Sequence, residues 1–385
     1  LKVGELFEAQ VRDMTSAGQG VVAHPSGATV FAAGVWLSEQ AVFRITRIKG
    51  RVGFAELVEL KRACESRRQA PCSYHGHQRG ACGACPWMFV DYDAQLLAKQ
   101  RRVENNIQRI APELTVSTIW PSADEFGWRN RVQFKTDGKK LGFVSASSQT
   151  LVDVDRCPVL TEANQQTLLK LRAMLPNSNW KAPSRKQPWS TIDVEQRGGL
   201  DGASLNQRLP FQQANSQQNT AMRAWLHNKI AAMRERGQAD SALELFCGSG
   251  NFTEAIAAAG VANIHALEAS EQAVAELSQK NIPGVQAEVA DLFSEQSFES
   301  LMKKHKQTDM LVLDPPRDGL KQKQGLFDKR ARFKAVFYIS CDLATFCRDA
   351  RAFVAAGYQL QELQPVDQFP QTPHVELLAH FVARR

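Results

Sequence analysis

Cys341 stands in the run Ser340-Cys341-Asp342 at the end of an apolar stretch, AVFYIS. A cysteine at the exposed end of a strand can attack through its thiolate, whereas one packed in a core is inert, so position matters more than residue type. On position alone both readings stay open. Further along, His374-Val375-Glu376 precedes the apolar run LLAHFV, where a carboxylate can serve as a base. A third group lies upstream: Leu245-Phe246-Cys247-Gly248-Ser249-Gly250-Asn251 closes a hydrophobic strand with glycines that let a ligand approach the backbone. A lone Gly-x-Gly turn serves plain strand–helix packing as often. Two acids in order give it weight. Glu268 ends the next strand-like run, about 20 residues on, where a carboxylate can hold ribose hydroxyls, and Asp291 ends VQAEVAD, placed for the edge of an adenine. Asp314-Pro315-Pro316-Arg317 follows another apolar strand, which brings its carboxylate to the sheet edge where open α/β folds bind ligands.

Cysteine supplies a second chemistry. The eight cysteines are residues 64, 72, 82, 85, 157, 247, 341 and 347, too sparse for a disulfide scaffold. Cys82-Gly-Ala-Cys85 has the spacing of two thiolates on one metal centre, and four cysteines satisfy zinc or an iron–sulfur cluster equally well.

These groups need a scaffold to hold them. After about residue 205 strands and helices alternate: SALELF, CGSGN, FTEAIAAAG, NIHALEAS, then MLVLDPP and AVFYISC. That pattern predicts a doubly wound α/β sheet. Residues 1 to 61 carry short apolar runs punctuated by glycine, with Arg44, Arg47, Lys49 and Arg51 along one stretch, as in a small β-barrel. Between them, WRNRVQFKTDGKKLGFVSASSQTLVDVDRCPVL reads as hairpins with a tight turn at Asp137-Gly138, TEANQQTLLKLRAML reads as a helix, and SNWKAPSRKQPWS reads as a loop. The stretches LMKKHKQ and LKQKQGLFDKRARFK are basic enough to line an RNA groove. Phe126, Trp128, Arg129 and Arg131, with Phe134 and Lys135, mix aromatic and basic side chains, which serves either core packing or an unstacked base.

With 385 residues and 43% hydrophobic content, the chain is long enough for two or three domains and is not disordered. The net charge is +7; residues 1 to 110 hold 15 Lys and Arg against 10 Asp and Glu, so +5 of it lies in the first third. Such an excess suits a polyanionic partner or an ordinary solvated surface. No apolar run reaches the ~20 residues of a membrane helix, and the first segment lacks the signal-peptide pattern. A soluble, cytoplasmic protein is the expectation.

Taken in order, these motifs resemble the uracil-5 RNA methyltransferases that use S-adenosylmethionine, most closely the 23S rRNA branch. The resemblance runs almost end to end: SAGQGVVAHPSGATVFAAG and RITRIKGRVGFAELVEL match a TRAM barrel, Cys82-Gly-Ala-Cys85 and VDVDRCPVL an iron–sulfur subdomain, and Phe211-Gln212-Gln213-Ala214-Asn215 the opening of the catalytic domain; LELFCGSGNFT, DPPRDGL, YISCDLAT and HVELL complete it. It implies a TRAM-like barrel over 1–61, a central mixed α+β domain with the cysteine cluster over 62–204, and a Rossmann-like doubly wound methyltransferase domain over 205–385. It further implies Cys341 as nucleophile, Glu376 as base, and Gln213, Phe246, Gly248, Glu268, Asp291 and Asp314 around S-adenosylmethionine. A 4Fe-4S cluster would be held by Cys72, Cys82, Cys85 and Cys157. A monomer acting on 23S rRNA is the leading expectation, with tRNA, or a noncatalytic iron–sulfur RNA-binding protein on this fold, as alternatives. Arg317 stands after the Pro pair where amine methyltransferases carry an aromatic residue, which disfavours that class.

Two departures stand out. The family usually has Asn-Pro after its cysteine, but here Asp342-Leu343 follow; a carboxylate beside the thiol is expected to raise its pKa. Nine residues separate Cys72 from Cys82 where the family commonly has five, which makes Cys64 a rival ligand and inserts His75 and His77.

Overall fold

The computed structural model describes residues 1–146, 148–184, 187–207, 209–323, 326–327 and 332–384. Chain contacts divide it into two compact units: residues 1–98, 124–209 and 369–373 form one, and residues 99–123, 210–368 and 374–385 the other.

The first unit opens with a closed barrel of β1 (Leu6–Met14), β2 (Gly20–Ala23), β3 (Thr29–Ala32), β4 (Gln40–Lys49) and β5 (Val52–Arg62), in the order β1-β2-β3-β5-β4. Alternate side chains point inward, and Phe7, Val11, Val22, Val30, Ala41, Phe43 and Ile45 fill the interior. Closure leaves no unpaired strand edge. The helix α1 (Tyr92–Ile107) follows, with residues 92–98 in this unit and 99–107 in the second. Next, β6 (Arg131–Thr136), β7 (Leu141–Val144), β8 (Leu151–Asp153), β9 (Ser190–Glu195) and β10 (Ser204–Leu205) form an antiparallel sheet in the order β10-β9-β6-β7-β8. Its first hairpin turns where Asp137-Gly138 was expected to turn it: Gly138 has φ +86°, and Asp137 Oδ1 accepts from the amides of Lys139 and Lys140. The helix α2 (Glu162–Ala173) is capped by Thr161, carries Lys170 and Arg172 in its last turn, and buries Leu168 and Leu171 against Val132, Phe134, Ile192 and Val194. Both terminal features favour the helix dipole. The expected loop at 178–190 includes a short 3₁₀ turn, Ser178–Trp180, because Trp180 is drawn into the same core.

The second unit is a seven-stranded sheet flanked by helices. Its strands are β11 (Ser241–Leu245), β12 (Asn263–Glu268), β13 (Val285–Val289), β14 (Met310–Leu313), β15 (Ala335–Ser340), β16 (Tyr358–Val366) and β17 (Glu376–Ala383), in the order β13-β12-β11-β14-β15-β17-β16. The first five named run parallel, and β17 is antiparallel to both neighbours. Every residue of β14 and β15 is buried, as parallel strands covered on both faces require. The strand order reverses between β11 and β14, so a crevice opens at their C-terminal ends. The helices α3 (Ser216–Arg234), α4 (Thr253–Ala258), α5 (Glu271–Gln279), α6 (Glu295–Lys304) and α7 (Leu343–Ala355) complete the unit. Among the described residues no helix is long and apolar enough to cross a membrane.

Candidate active site

The loops after β11, β12 and β13 line one side of the crevice. After β11, Phe246 and Gly248 adopt φ +64° and +54° and Gly250 φ +94°, left-handed conformations that cost a glycine nothing. A Cβ at Gly250 would come within 2.4 Å of Leu277 Cδ1, whereas one at Gly248 would meet nothing within 4 Å. Gly250 is therefore favoured by its left-handed backbone, with Leu277 crowding any side chain there, while the space over Gly248 is open to a ligand. Glu268, at the end of β12, accepts from the Gly248 amide at 3.2 Å and from the Ala269 and Ser270 amides at 2.8 and 3.1 Å, which ties its carboxylate to the glycine turn. Asp291 Oδ1 accepts from the amides of Phe293 and Ser294. That turn presents Phe293, 37% exposed, with its ring 5.9 Å from that of Phe246 and Lys321 Nζ 4.8 Å above it. Phe293 carried no sequence signal beyond its closeness to Asp291, and Lys321 was legible only as part of the basic stretch LKQKQGLFDKRARFK.

The other loops hold a thiol among acids. Ser340 of β15 is paired with Leu377 of β17, so Cys341 and Glu376, 35 positions apart in sequence, are the next residues in register at the sheet edge. Glu376 is 2% exposed. Burial raises its pKa well above the carboxylate range and Asp314 adds to this, while Arg317 opposes. Asp314 itself is pushed up to about 7 by burial and by Glu268, and Glu244, beneath it on β11, to about 8 by burial and Asp314 against the hydroxyl of Thr253. The Cys341 thiol rises to about 12, first through burial, then through Glu376 and Asp314, with Arg317 lowering it.

The carboxylate of Asp342, expected from its position to raise the thiol, is instead turned to the helix. It caps α7, accepting from the Thr345 amide at 2.8 Å and from its hydroxyl at 3.1 Å, a role that stabilises a helix by about 1 kcal/mol. The charges that move Cys341 are Glu376, Asp314 and Arg317.

Gln213, 7% exposed, accepts from Gln368 Nε2 at 2.8 Å, and Asn215 caps α3. The adjoining Asp367 is fully buried against Lys99; removing one partner of such a pair typically costs about 3–5 kcal/mol. Gln368 and Lys99 lie far from any motif, so only the fold reveals them.

Asp314 makes stability pH-dependent in the ligand-free protein. Its folded pKa of about 7 lies above the ordinary 3.8, so between these values the folded chain holds a proton that the unfolded chain has released. Stability then falls as pH rises through that window. Denaturant unfolding of Asp314→Asn is expected to show a shallower decline than the parent; an unchanged slope would contradict this assignment.

The first five cysteines separate into two places. Cys82 and Cys157 are both raised by burial, Cys157 to about 11, and both feel the charge of Cys72; Cys85 is raised by burial and then by Cys157, Cys82 and Cys72. Four thiols thus lie within electrostatic reach of one another. Cys64 belongs elsewhere: its amide donates to Glu39, itself buried and paired with Arg67. His75 and His77 pack edge to face, 5.3 Å apart, against Phe89. Among the described residues no group of three or more His, Cys, Asp or Glu forms a metal-ion site.

Part of the aromatic–basic group serves the core, while Phe126 is half-buried. Trp128 and Phe134 are buried, Arg131 pairs with Asp193, Lys135 donates to Thr191, and Arg129 is held near Cys85 and Cys157. Of LKQKQGLFDKRARFK, residues 324–325 and 328–331 lie outside the described residues.

Known proteins bear on this geometry. The family described as tRNA (Uracil-5-)-methyltransferase matches residues 204–383. An uncharacterized RNA methyltransferase of Nitrosomonas europaea is 40% identical, covering 97% of this chain and 96% of its own. The 23S rRNA (uracil(1939)-C(5))-methyltransferase RlmD of Pseudomonas putida is 30% identical over 99% of this chain and 94% of its own. In fold, the chain matches the tRNA (uracil-54, C5)-methyltransferase of Pyrococcus abyssi with a TM-score of 0.72 at 21% identity, covering 97% of this chain and 99% of that one. With a full-length relative at this identity and the ordered motifs in one crevice, the chain belongs to the RNA uracil-5 methyltransferase family.

Proposed function

We propose that this enzyme methylates uridine C5 in 23S rRNA through a covalent adduct on Cys341. The observation that carries the reading is the register that sets Cys341 beside Glu376 at the sheet edge, with Asp314 within electrostatic reach of both. Uracil C5 is a weak carbon nucleophile, and addition of a thiolate to C6 makes it a strong one. The Cys341 sulfur bonds to C6 and the C5–C6 electron pair moves toward the C4 oxygen as an enolate; C5 then takes a methyl group. S-adenosylmethionine, when bound, supplies that methyl from a sulfonium centre. Glu376 removes the C5 proton, the C5–C6 double bond re-forms, and the C6–S bond breaks to return the thiolate. A raised pKa makes Glu376 a stronger base once ionised, and Arg317 favours the charged form of both groups. Around the cofactor, Phe246, Gly248 and Glu268 would hold the ribose side, Asp291 the adenine edge, and Gln213 and Asp314 the reacting end. The arrangement accepts such a molecule because the turn over Gly248 is open.

The 23S assignment follows relatives such as the Pseudomonas putida enzyme. The family description and the Pyrococcus abyssi protein name tRNA instead, which keeps that substrate as the second reading. The barrel, proposed as a separate RNA-binding domain over 1–61, offers a base-stacking surface: Phe31 and Phe54 lie 5.8 Å apart, Arg47 stands 4.1 Å over Phe54, and Lys49 and Arg51 are exposed beside them. A cytoplasmic monomer belongs to the same proposal. The test is a trap. Protein is incubated with 5-fluorouridine-substituted 23S rRNA or tRNA and S-adenosylmethionine, and mass spectrometry seeks an adduct at Cys341. Fluorine does not leave as a proton, so the adduct persists. An adduct on rRNA supports the reading, an adduct on tRNA alone moves the substrate, and none on either, with both ligands bound, overturns the covalent route.

We also propose that Cys72, Cys82, Cys85 and Cys157 hold a 4Fe-4S cluster in the central domain over 62–204. Four thiols close enough that Cys72 acts on Cys82, and both act on Cys85 and Cys157, are a donor set suited to iron–sulfur ligation, where a bound cluster would staple the surrounding loops. Cys82→Ser is expected to lose iron and visible absorbance and to lower thermal stability, while Cys64→Ser keeps both. Iron analysis after anaerobic purification checks this, and iron retained by Cys82→Ser would remove it from the ligand set.

A further inference from the structure

Residues 314–323, directly after β14, form no helix or strand, yet they carry Arg317, the cation that acts on both Cys341 and Glu376. A short loop holds a guanidinium in place only if its backbone is fixed from outside. Asp349, fully buried in α7, supplies that fixed point. Its Oδ2 accepts from the Leu320 amide at 2.8 Å, from Tyr338 Oη at 2.8 Å and from Arg348 Nη2 at 3.1 Å; its Oδ1 accepts from Arg348 Nε and Lys323 Nζ, each at 2.9 Å. Arg348 Nη2 also donates to the carbonyls of Asp318 and Leu320 at 2.9 and 3.2 Å. Gly319 lets the loop come this close: its φ is +66°, and a Cβ there would lie 2.5 Å from Asp349 Oδ2. Burial opposes ionisation of Asp349, but its bonds to Arg348, Leu320, Lys323 and Tyr338 keep its pKa below the ordinary value.

These contacts join three elements of the site. Tyr338 lies on β15 three residues before Cys341, α7 begins just after it, and the loop carries Asp314 and Arg317. We propose that Asp349 is a positioning residue for methyl transfer, pinning the loop of Arg317 to the strand and helix that flank Cys341. The proposal rests on the covalent uracil-5 reading and assigns Asp349 no contact with substrate.

The test compares the full-length parent with Asp349→Asn, Arg317→Gln and the double variant. Asparagine keeps the shape and one acceptor but removes the charge that gathers Arg348 and Lys323. Cofactor and RNA affinities are expected to stay within about threefold, while kcat falls on the order of 10- to 100-fold, the scale of a small misplacement. The half-maximal pH for adduct formation on 5-fluorouridine RNA should move upward. If Asp349 acts through Arg317, adding Asp349→Asn to Arg317→Gln changes little. An unaltered kcat and pH profile in a folded Asp349→Asn overturns the proposal, as do independent, multiplying effects in the double variant. Should Asp349→Asn fail to fold, Gly319→Ala disturbs the same contact from the loop side; the same pH shift there supports the proposal, and a parental profile overturns it. A parent that forms no adduct would instead sink the underlying uracil-5 reading.

Discussion

Replacing Cys341 with alanine is expected to abolish covalent capture of 5-fluorouridine RNA and to lower methylation on the order of 10⁴-fold or more, the scale seen when a nucleophile is removed. Binding of S-adenosylmethionine should change little, because the glycine turn and Glu268 lie on other strands. The sulfur also predicts a pH dependence. Its thiol is pushed up to about 12 in the ligand-free site, so the thiolate fraction, and with it the rate of adduct formation, should climb with pH across roughly pH 6 to 9. Rapid-quench measurement of adduct formation against pH tests both statements. Substantial methylation by Cys341→Ala would mean that the methyl acceptor attacks without covalent activation.

Glu376→Gln separates the second half of the reaction from the first. Adduct formation and methyl transfer need no base at C5, but release does, so methylated RNA should stay attached to Cys341 even with ordinary uridine. Turnover is expected to fall about 10²- to 10⁴-fold. A denaturing gel that follows labelled methyl groups would show a protein–RNA band where the parent shows only free RNA. Near-parental turnover would shift the base to another acid, with Asp314, which acts electrostatically on both Cys341 and Glu376, the first to examine.

Much of this was legible in the chain because local rules govern it. Apolar strands that end in CGSGN, DPPR and SCD bring polar groups to one sheet edge, since parallel strands joined by helices share a direction. The order glycine turn, Glu268, Asp291 needs only strand spacing, and Asp137-Gly138 needs only turn chemistry. The cap at Asp342 was also local, yet its sequence reading counted only a charge beside a thiol and not the amide of Thr345 that binds it.

What the chain alone did not decide is how distant segments meet. Glu376 stands beside Cys341 because β17 inserts antiparallel between β15 and β16, and a strand's choice of neighbour depends on burying its two faces against the whole sheet. The same holds for Cys64, drawn to Glu39, and for Asp349, whose worth comes from donors on β15, α7 and the loop at once. Residue types and local spacing specified the chemistry available to this protein; the packing of the sheet selected which of those groups share one dielectric environment, and that environment sets their pKa values and hence their roles.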